Sequence, residues 1–184
     1  MDKDVAKILR KIIRDIKVDL TSEFDLNFER QAFFGEAWQR RKSPLRGDGH
    51  ILVDSGALRR DITSRSDDTS ITFMASLPYA SIHNNGGEIK VTRRMKSFFW
   101  HKYYEAIGGF GRKKDGSLRN DKKNKQLSTE AEFYKAMALM KVGSSIKIPR
   151  RRFLGTSPEL EQRVKDIIEM NLAEYFATLP SKLK

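Results

Sequence analysis

The chain has no cysteine. That single absence removes disulfides, thiolate nucleophiles and cysteine-ligated zinc. Long apolar runs are missing too. Stretches such as Ile51-Leu52-Val53 fall far short of the roughly 20 residues a membrane-spanning helix needs. The start, Met1-Asp2-Lys3-Asp4, alternates charge and lacks the apolar stretch of a secretory leader. Histidine is scarce, and His50, His83 and His101 lie in unrelated segments at no metal-ligand spacing. There is no P-loop, no GxGxxG after a strand, no HExxH and no GxSxG. Acidic residues are scattered, which gives a two-metal nuclease site little support. No catalytic residue and no metal ligand is assigned. No cofactor, small-molecule substrate or membrane partner is expected.

The 184 residues fit one domain with room for an inserted lobe, and 39% apolar content can build a core. Lys and Arg outnumber Asp and Glu by 36 to 24, a net charge of +12. An excess of that size points to an anionic partner: nucleic acid, a membrane surface or an acidic protein face. The excess is clustered. One run holds Arg112, Lys113, Lys114, Arg119, Lys122, Lys123 and Lys125 against Asp115 and Asp121. A second is Arg150-Arg151-Arg152, and a third Arg40-Arg41-Lys42.

Apolar residues at Val5, Ile8, Leu9, Ile12, Ile13, Ile16 and Leu20 predict an amphipathic helix over 3–20. Its basic face reads as a solvated one, with a membrane-surface helix as the sharper alternative. Residues 24–38 carry Phe24, Phe28, Phe33, Phe34 and Trp38, with Asn27 as the cap of a short second helix. Arg40–Gly49 reads as an exposed loop. Asp54 or Ser55 is expected to cap a helical turn at Ala57–Ile62. Asp54-Ser55-Gly56 is superficially similar to the triplet of an aspartic protease. Such a site needs two carboxylates sharing a proton, and this chain has one triplet.

Ile62–Ala75 predicts a hairpin turning at Asp67-Asp68. Pro78 is placed at the first position of a short helix through Tyr79–His83, stopped by Gly86-Gly87. Glu88–Val91 follows as a strand. His83 has no acidic partner at i+3 or i+4, so it reads as structural rather than as a general base. The spacing predicts a helix over 93–107, its aromatics either core or a stacking surface for bases. Gly108–Leu127 is the least ordered-looking stretch. Thr129-Glu130-Ala131-Glu132 reads as a capping box opening a helix that Gly143 closes. Ser145–Ile148 is a strand ended by Pro149. Ser157 and Pro158 open a last helix that runs to about Leu179.

Taken in order, these phrases resemble one known family. Phe33-Phe34 precedes Trp38. Ile51-Leu52-Val53-Asp54-Ser55-Gly56-Ala57-Leu58-Arg59-Arg60-Asp61-Ile62 follows. Then come Tyr79-Ala80-Ser81-Ile82-His83-Asn84-Asn85-Gly86-Gly87 and Ile148-Pro149-Arg150-Arg151-Arg152-Phe153-Leu154-Gly155, and a terminal helix. This order is similar to that of the phage virion morphogenesis family, which includes the tail completion proteins of Mu-like and P2-like phages.

The resemblance implies an α+β protein: a small antiparallel sheet packed by long N- and C-terminal helices. One domain over 1–184 is expected, and the chain departs from the shorter members of the family at about 92–144, where a largely helical insertion is expected to carry the basic loop. The resemblance also implies a non-catalytic role at the head–tail junction or tail end, in the virion, after synthesis in the host cytoplasm. Its expected partners are itself, as a ring, and other tail or neck proteins. Trp38, Gly56, Leu58, Tyr79, His83, Gly86, Gly87, Pro149, Phe153 and Gly155 are expected to shape the scaffold. The basic residues at 112–125 and 150–152 are expected to meet DNA or a partner. The alternative is a basic nucleic-acid-binding module without sequence specificity.

Overall fold

A run of apolar side chains every fourth residue, Ile8, Ile12, Ile16, Leu20, Phe24 and Phe28, organises the first third of the chain. Each step of four overshoots a helical turn by about 40°, so this row winds slowly around its helix and meets successive partners. The computed structural model, which describes residues 3–41, 43, 45 and 49–179, carries the row on one helix, α1 (Lys3–Arg30). The expected break near residue 24 is absent. Thr21-Ser22-Glu23 tolerates helix, the row continues through it, and the first glycine comes only at Gly35. Asn27 therefore lies inside α1 and caps no helix; it is 0% exposed. Lys42, Pro44 and Arg46–Asp48 of the expected loop lie outside the described residues.

The chain divides into two compact units, and each is described by itself. The first comprises residues 1–39, 50–86 and 150–184. Here α1 packs antiparallel to α6 (Pro158–Thr178), Lys11 pairing with Glu174 and Asp19 with Arg163. Ser157 caps α6, accepting the Leu160 N–H at 3.1 Å, with Pro158 next to it, as the sequence predicts. The Arg163 guanidinium grips Asp19 with two bonds of 2.9 and 2.7 Å and also reaches Glu23, which Arg30 meets from the other side at 2.8 Å. Those two cations compensate a Glu23 that is only 6% exposed.

Along the winding row, Ile12, Ile16, Leu20 and Phe24 join Phe33 and Leu160 in one core cluster. One turn later Phe28 enters a second cluster with Trp38, Leu58, Ala80 and Phe153. Burying each large side chain stabilises by about 1.5–3 kcal/mol.

α1 ends where Gln31 turns left-handed, at φ 55°. The short pair β1 (Ala32–Phe33) and β2 (Glu36–Ala37) follows. Gly56, at φ 72°, starts the turn α2 (Ala57–Arg60), and the Ala57 N–H donates to Ser55 Oγ at 3.3 Å. The predicted hairpin forms as β3 (Thr63–Ser66) against β4 (Ile71–Met74). Its turn is held by Asp67, whose carboxylate accepts the N–H groups of Thr69 and Ser70, both at 2.8 Å. Those bonds, with the Ser70 and Thr69 hydroxyls, hold the Asp67 pKa at about 2. The helix after the hairpin, α3 (Ala80–Asn85), starts two residues beyond Pro78, which sits in the preceding turn.

The second unit comprises residues 40–49 and 87–149. β5 (Gly87–Lys90) pairs antiparallel with β6 (Ser145–Ile148). Two helices, α4 (Arg93–Gly108) and α5 (Lys122–Leu139), pack as an antiparallel pair with Phe99 stacked on Tyr134.

The class is α+β, as expected. Among the described residues, however, the strands form three separate two-stranded antiparallel ladders and not one sheet. No helix among the described residues is long and apolar enough to cross a membrane.

Candidate functional site

In the first unit, the two signature phrases close on each other. α3 presents Asn84 to the chain leaving Arg150, and its Oδ1 accepts the N–H groups of both Phe153 and Leu154 at 2.9 Å. The Arg151 N–H donates to the His83 carbonyl at 2.8 Å. Gly86, at φ 73°, lies so close that an added Cβ would stand 2.9 Å from the Arg150 nitrogen. No other residue meets both demands. Trp38 Nε1 donates to the Arg152 carbonyl at 2.6 Å. Asn27 accepts the Phe34 N–H at 3.1 Å and reaches the Phe153 carbonyl at 3.4 Å. Phe153 itself is 1% exposed, its ring 5.5 Å from that of Phe28, which also meets Trp38 edge-on. Leu58 is buried in the same cluster, while Tyr79 is exposed, its ring edge-to-face with that of His83.

The three arginines part company here. Arg151 is buried and donates from Nε to the Gln39 carbonyl at 3.0 Å, which corrects its expected place on a contact surface. Arg152 lies over the Phe33 ring at 4.5 Å and crowds Gly155. Arg150 remains exposed.

His83 is half-buried, and its Nδ1 finds no partner among the described residues. Burial, with the Arg151 charge, pushes its pKa below the ordinary imidazole value. Its stabilising contribution is therefore complete above about pH 6.5, where the unfolded imidazole is neutral too, and is lost as pH falls toward the depressed folded value. We expect thermal melts to fall between about pH 7 and pH 5, and His83→Gln to flatten that fall. An unchanged pH dependence in the variant would refute this role.

In the second unit, the stretch expected to be least ordered is a built tip. Asn124, 6% exposed, accepts the Gly111 N–H at 2.8 Å and donates to the carbonyls of Gly111 and Arg119 at 2.8 and 2.7 Å. Arg112 bridges Leu118 across a small loop in which Asp115 accepts the Ser117 N–H at 2.9 Å. Asp121 caps α5, accepting the Asn124 N–H at 2.8 Å. The expected capping box at Thr129 therefore lies mid-helix, where its hydroxyl donates to the Lys125 carbonyl. Polar side chains do here what apolar ones do elsewhere. Lys122, Lys123 and Lys125 sit on the first turn of α5, and all seven basic residues of the run are exposed. Gly143 does not close α5, which ends at Leu139; its N–H donates to the Val91 carbonyl.

The charge divides with the units. Residues 40–49 and 87–149 hold 19 Lys and Arg against 7 Asp and Glu, a net +12. The first unit holds 17 of each and is neutral. On α4, Phe98 and Tyr104 are 53% and 61% exposed, while Phe99 faces α5. Among the described residues, no three His, Asp or Glu side chains gather as a metal site.

A family model described as the phage virion morphogenesis family matches residues 3–173, a span that includes the interlocked phrases and the basic tip. The chain belongs to the phage virion morphogenesis family. Membership makes it a phage structural or assembly protein that works with other phage proteins. No curated protein and no solved structure matches it. Asn27, expected as a cap, and Asn84 and Asn124, for which the sequence suggests no role, tie distant backbone together in this family member. Their signal was an amide within or beside apolar helical positions.

Proposed function

We propose that the protein completes the phage tail or joins it to the head, by contact and not by catalysis. The observation that carries this is the division of charge within a virion morphogenesis protein: a neutral unit tied by long helices, and a unit holding the whole net +12. The neutral unit offers surfaces for self-association and for other tail or neck proteins, and a head-to-tail contact closes into a ring when its rotation permits. Phe98, Tyr104 and Leu139 add exposed apolar area to the basic unit as well.

A second reading is favoured by the same charge. The tip residues Arg112, Lys113, Lys114, Arg119, Lys122, Lys123 and Lys125 contact phosphates of DNA at the neck without reading sequence. In this role the protein sits in the tail or neck of the particle.

Light scattering and negative-stain microscopy of the protein, alone and mixed with tail and connector proteins, test the assembly reading. A ring or a defined complex with a neck or tail component is the expected result. Persistent monomers that bind none of those components would overturn it.

A further inference from the structure

At the turn of the β3–β4 hairpin, the Asp67 N–H donates to the Ser70 carbonyl at 3.0 Å. Hydrogen-bonded pairs alternate along an antiparallel ladder. In this register the next ones are Arg65 with Thr72 and Thr63 with Met74. The N–H and C=O groups of Ile71 and Phe73 therefore point away from β3. No hydrogen bond among the described residues reaches them. β4 is an open edge strand.

That edge borders a groove of about 730 Å³ walled by α1 and α6, within the usual ~300–1,000 Å³ of a ligand cleft. Ser70, Ile71, Thr72 and Phe73 all line it. Successive side chains of a strand point to opposite faces, so it is the edge itself that meets the groove. The lining runs from buried Leu160 to half-buried Ile13, which opens the groove from the first core cluster to solvent. Among the described residues that line it, only Asp68 is charged, and Arg10 meets that carboxylate at 3.5 Å.

These features select an occupant. Unpaired N–H and C=O groups in a row are matched by a second main chain, and a lipid tail offers none. Nucleic acid needs cations for its phosphates, and this lining presents an acid. A second copy's β4 carries its own α1 and α6 on the face that holds Ile71 and Phe73. Pairing two such edges drives helix onto helix. A lone extended segment brings no helix with it.

We propose that β4 takes an added antiparallel strand from another phage protein, an extended segment whose alternate apolar side chains fill this groove. Main-chain bonds supply the affinity and the groove supplies the selectivity. Residues directly opposed in an antiparallel pair share a face. The added residues that bond Ile71 and Phe73 are therefore the apolar ones. The inference rests on the assembly reading above and specifies one contact within it.

The probe is a fluorescein-labelled peptide of alternating Val and Thr, with a lysine at each end for solubility. Fluorescence anisotropy with the full chain is expected to show saturable binding. N-methylation of the Val residues removes the N–H groups that face β4 and should weaken binding by about tenfold or more. N-methylation of the Thr residues should leave it in place. Ile13→Lys sets a charge at the rim of the groove and should weaken binding as strongly as Val methylation. Amide exchange followed by NMR reads the same contact on the parent chain. Saturating peptide should slow exchange at Ile71 and Phe73 by about tenfold or more, and leave Thr72, already bonded to β3, unchanged.

Absence of binding, equal losses from the two methylated peptides, or no added protection at Ile71 and Phe73 overturns the proposal. So does a dimer of the chain, seen by light scattering, that the peptide dissociates, because the edge then belongs to a second copy. Each of these failures leaves complex formation with neck and tail proteins as a separate readout of the assembly reading.

Discussion

Truncating Phe153 to alanine is expected to lower the stability of the protein's neutral unit by about 3–5 kcal/mol. The ring is 1% exposed and packs on Phe28, so its removal leaves a cavity where the second core cluster meets the crossing of the two phrases. Collapse around that cavity is restricted. The backbone at 153 and 154 is pinned by Asn84, and the carbonyl at 152 by Trp38. Asn84→Ala acts on the same junction from the other side. It strands two N–H groups and should cost about 1–3 kcal/mol. Because the two residues share partners, the double variant should lose less than the sum of the single losses. Urea unfolding followed by circular dichroism measures all three. A loss below about 1 kcal/mol for Phe153→Ala would mean the junction does not organise this core.

Reversing three charges at the tip, with Lys122→Glu, Lys123→Glu and Lys125→Glu, should weaken binding to duplex DNA of any sequence by about a hundredfold at low salt. The slope of log affinity against log salt should become shallower by roughly 0.9 for each phosphate that the protein no longer neutralises. These side chains are exposed on the first turn of α5, and the cap is made by Asp121, so the helix survives the change. Arg65→Glu and Lys165→Glu, exposed reversals in the neutral unit, serve as controls and should leave most of the affinity in place. Filter binding across a salt series reads both effects. Equal losses per reversed charge in the tip variant and the controls would show that only total charge matters. Parent protein that binds no DNA at low salt would remove the phosphate contact altogether.

Much of this fold was legible where one local rule acted alone. Ser157-Pro158 starts α6, Asp67 turns the hairpin, and the residues around Ile146 form a strand ended by Pro149. Local rules fail where a polar residue works at long range. Asn27 has the preferences of a cap, yet α1 runs through it because Phe24 and Phe28 both have core partners to meet. The tip at 108–121 has few apolar groups, so apolar patterning could not reveal that Asp115, Asp121 and Asn124 order it. The triple arginine reads as one basic patch, but Arg151 is buried with its Nε on the Gln39 carbonyl, while Arg150 stays outside. The even split of charge between acid and base in one unit, and its excess in the other, emerges only once it is known where the chain crosses between units.

Electron microscopy of particles made by a phage that lacks this chain tests the assembly role most directly. Filled heads accumulating beside separate, unfinished tails, with joined particles restored when the intact chain is supplied, is the predicted result. Complete, infectious particles formed in its absence would contradict a role in tail completion or head–tail joining.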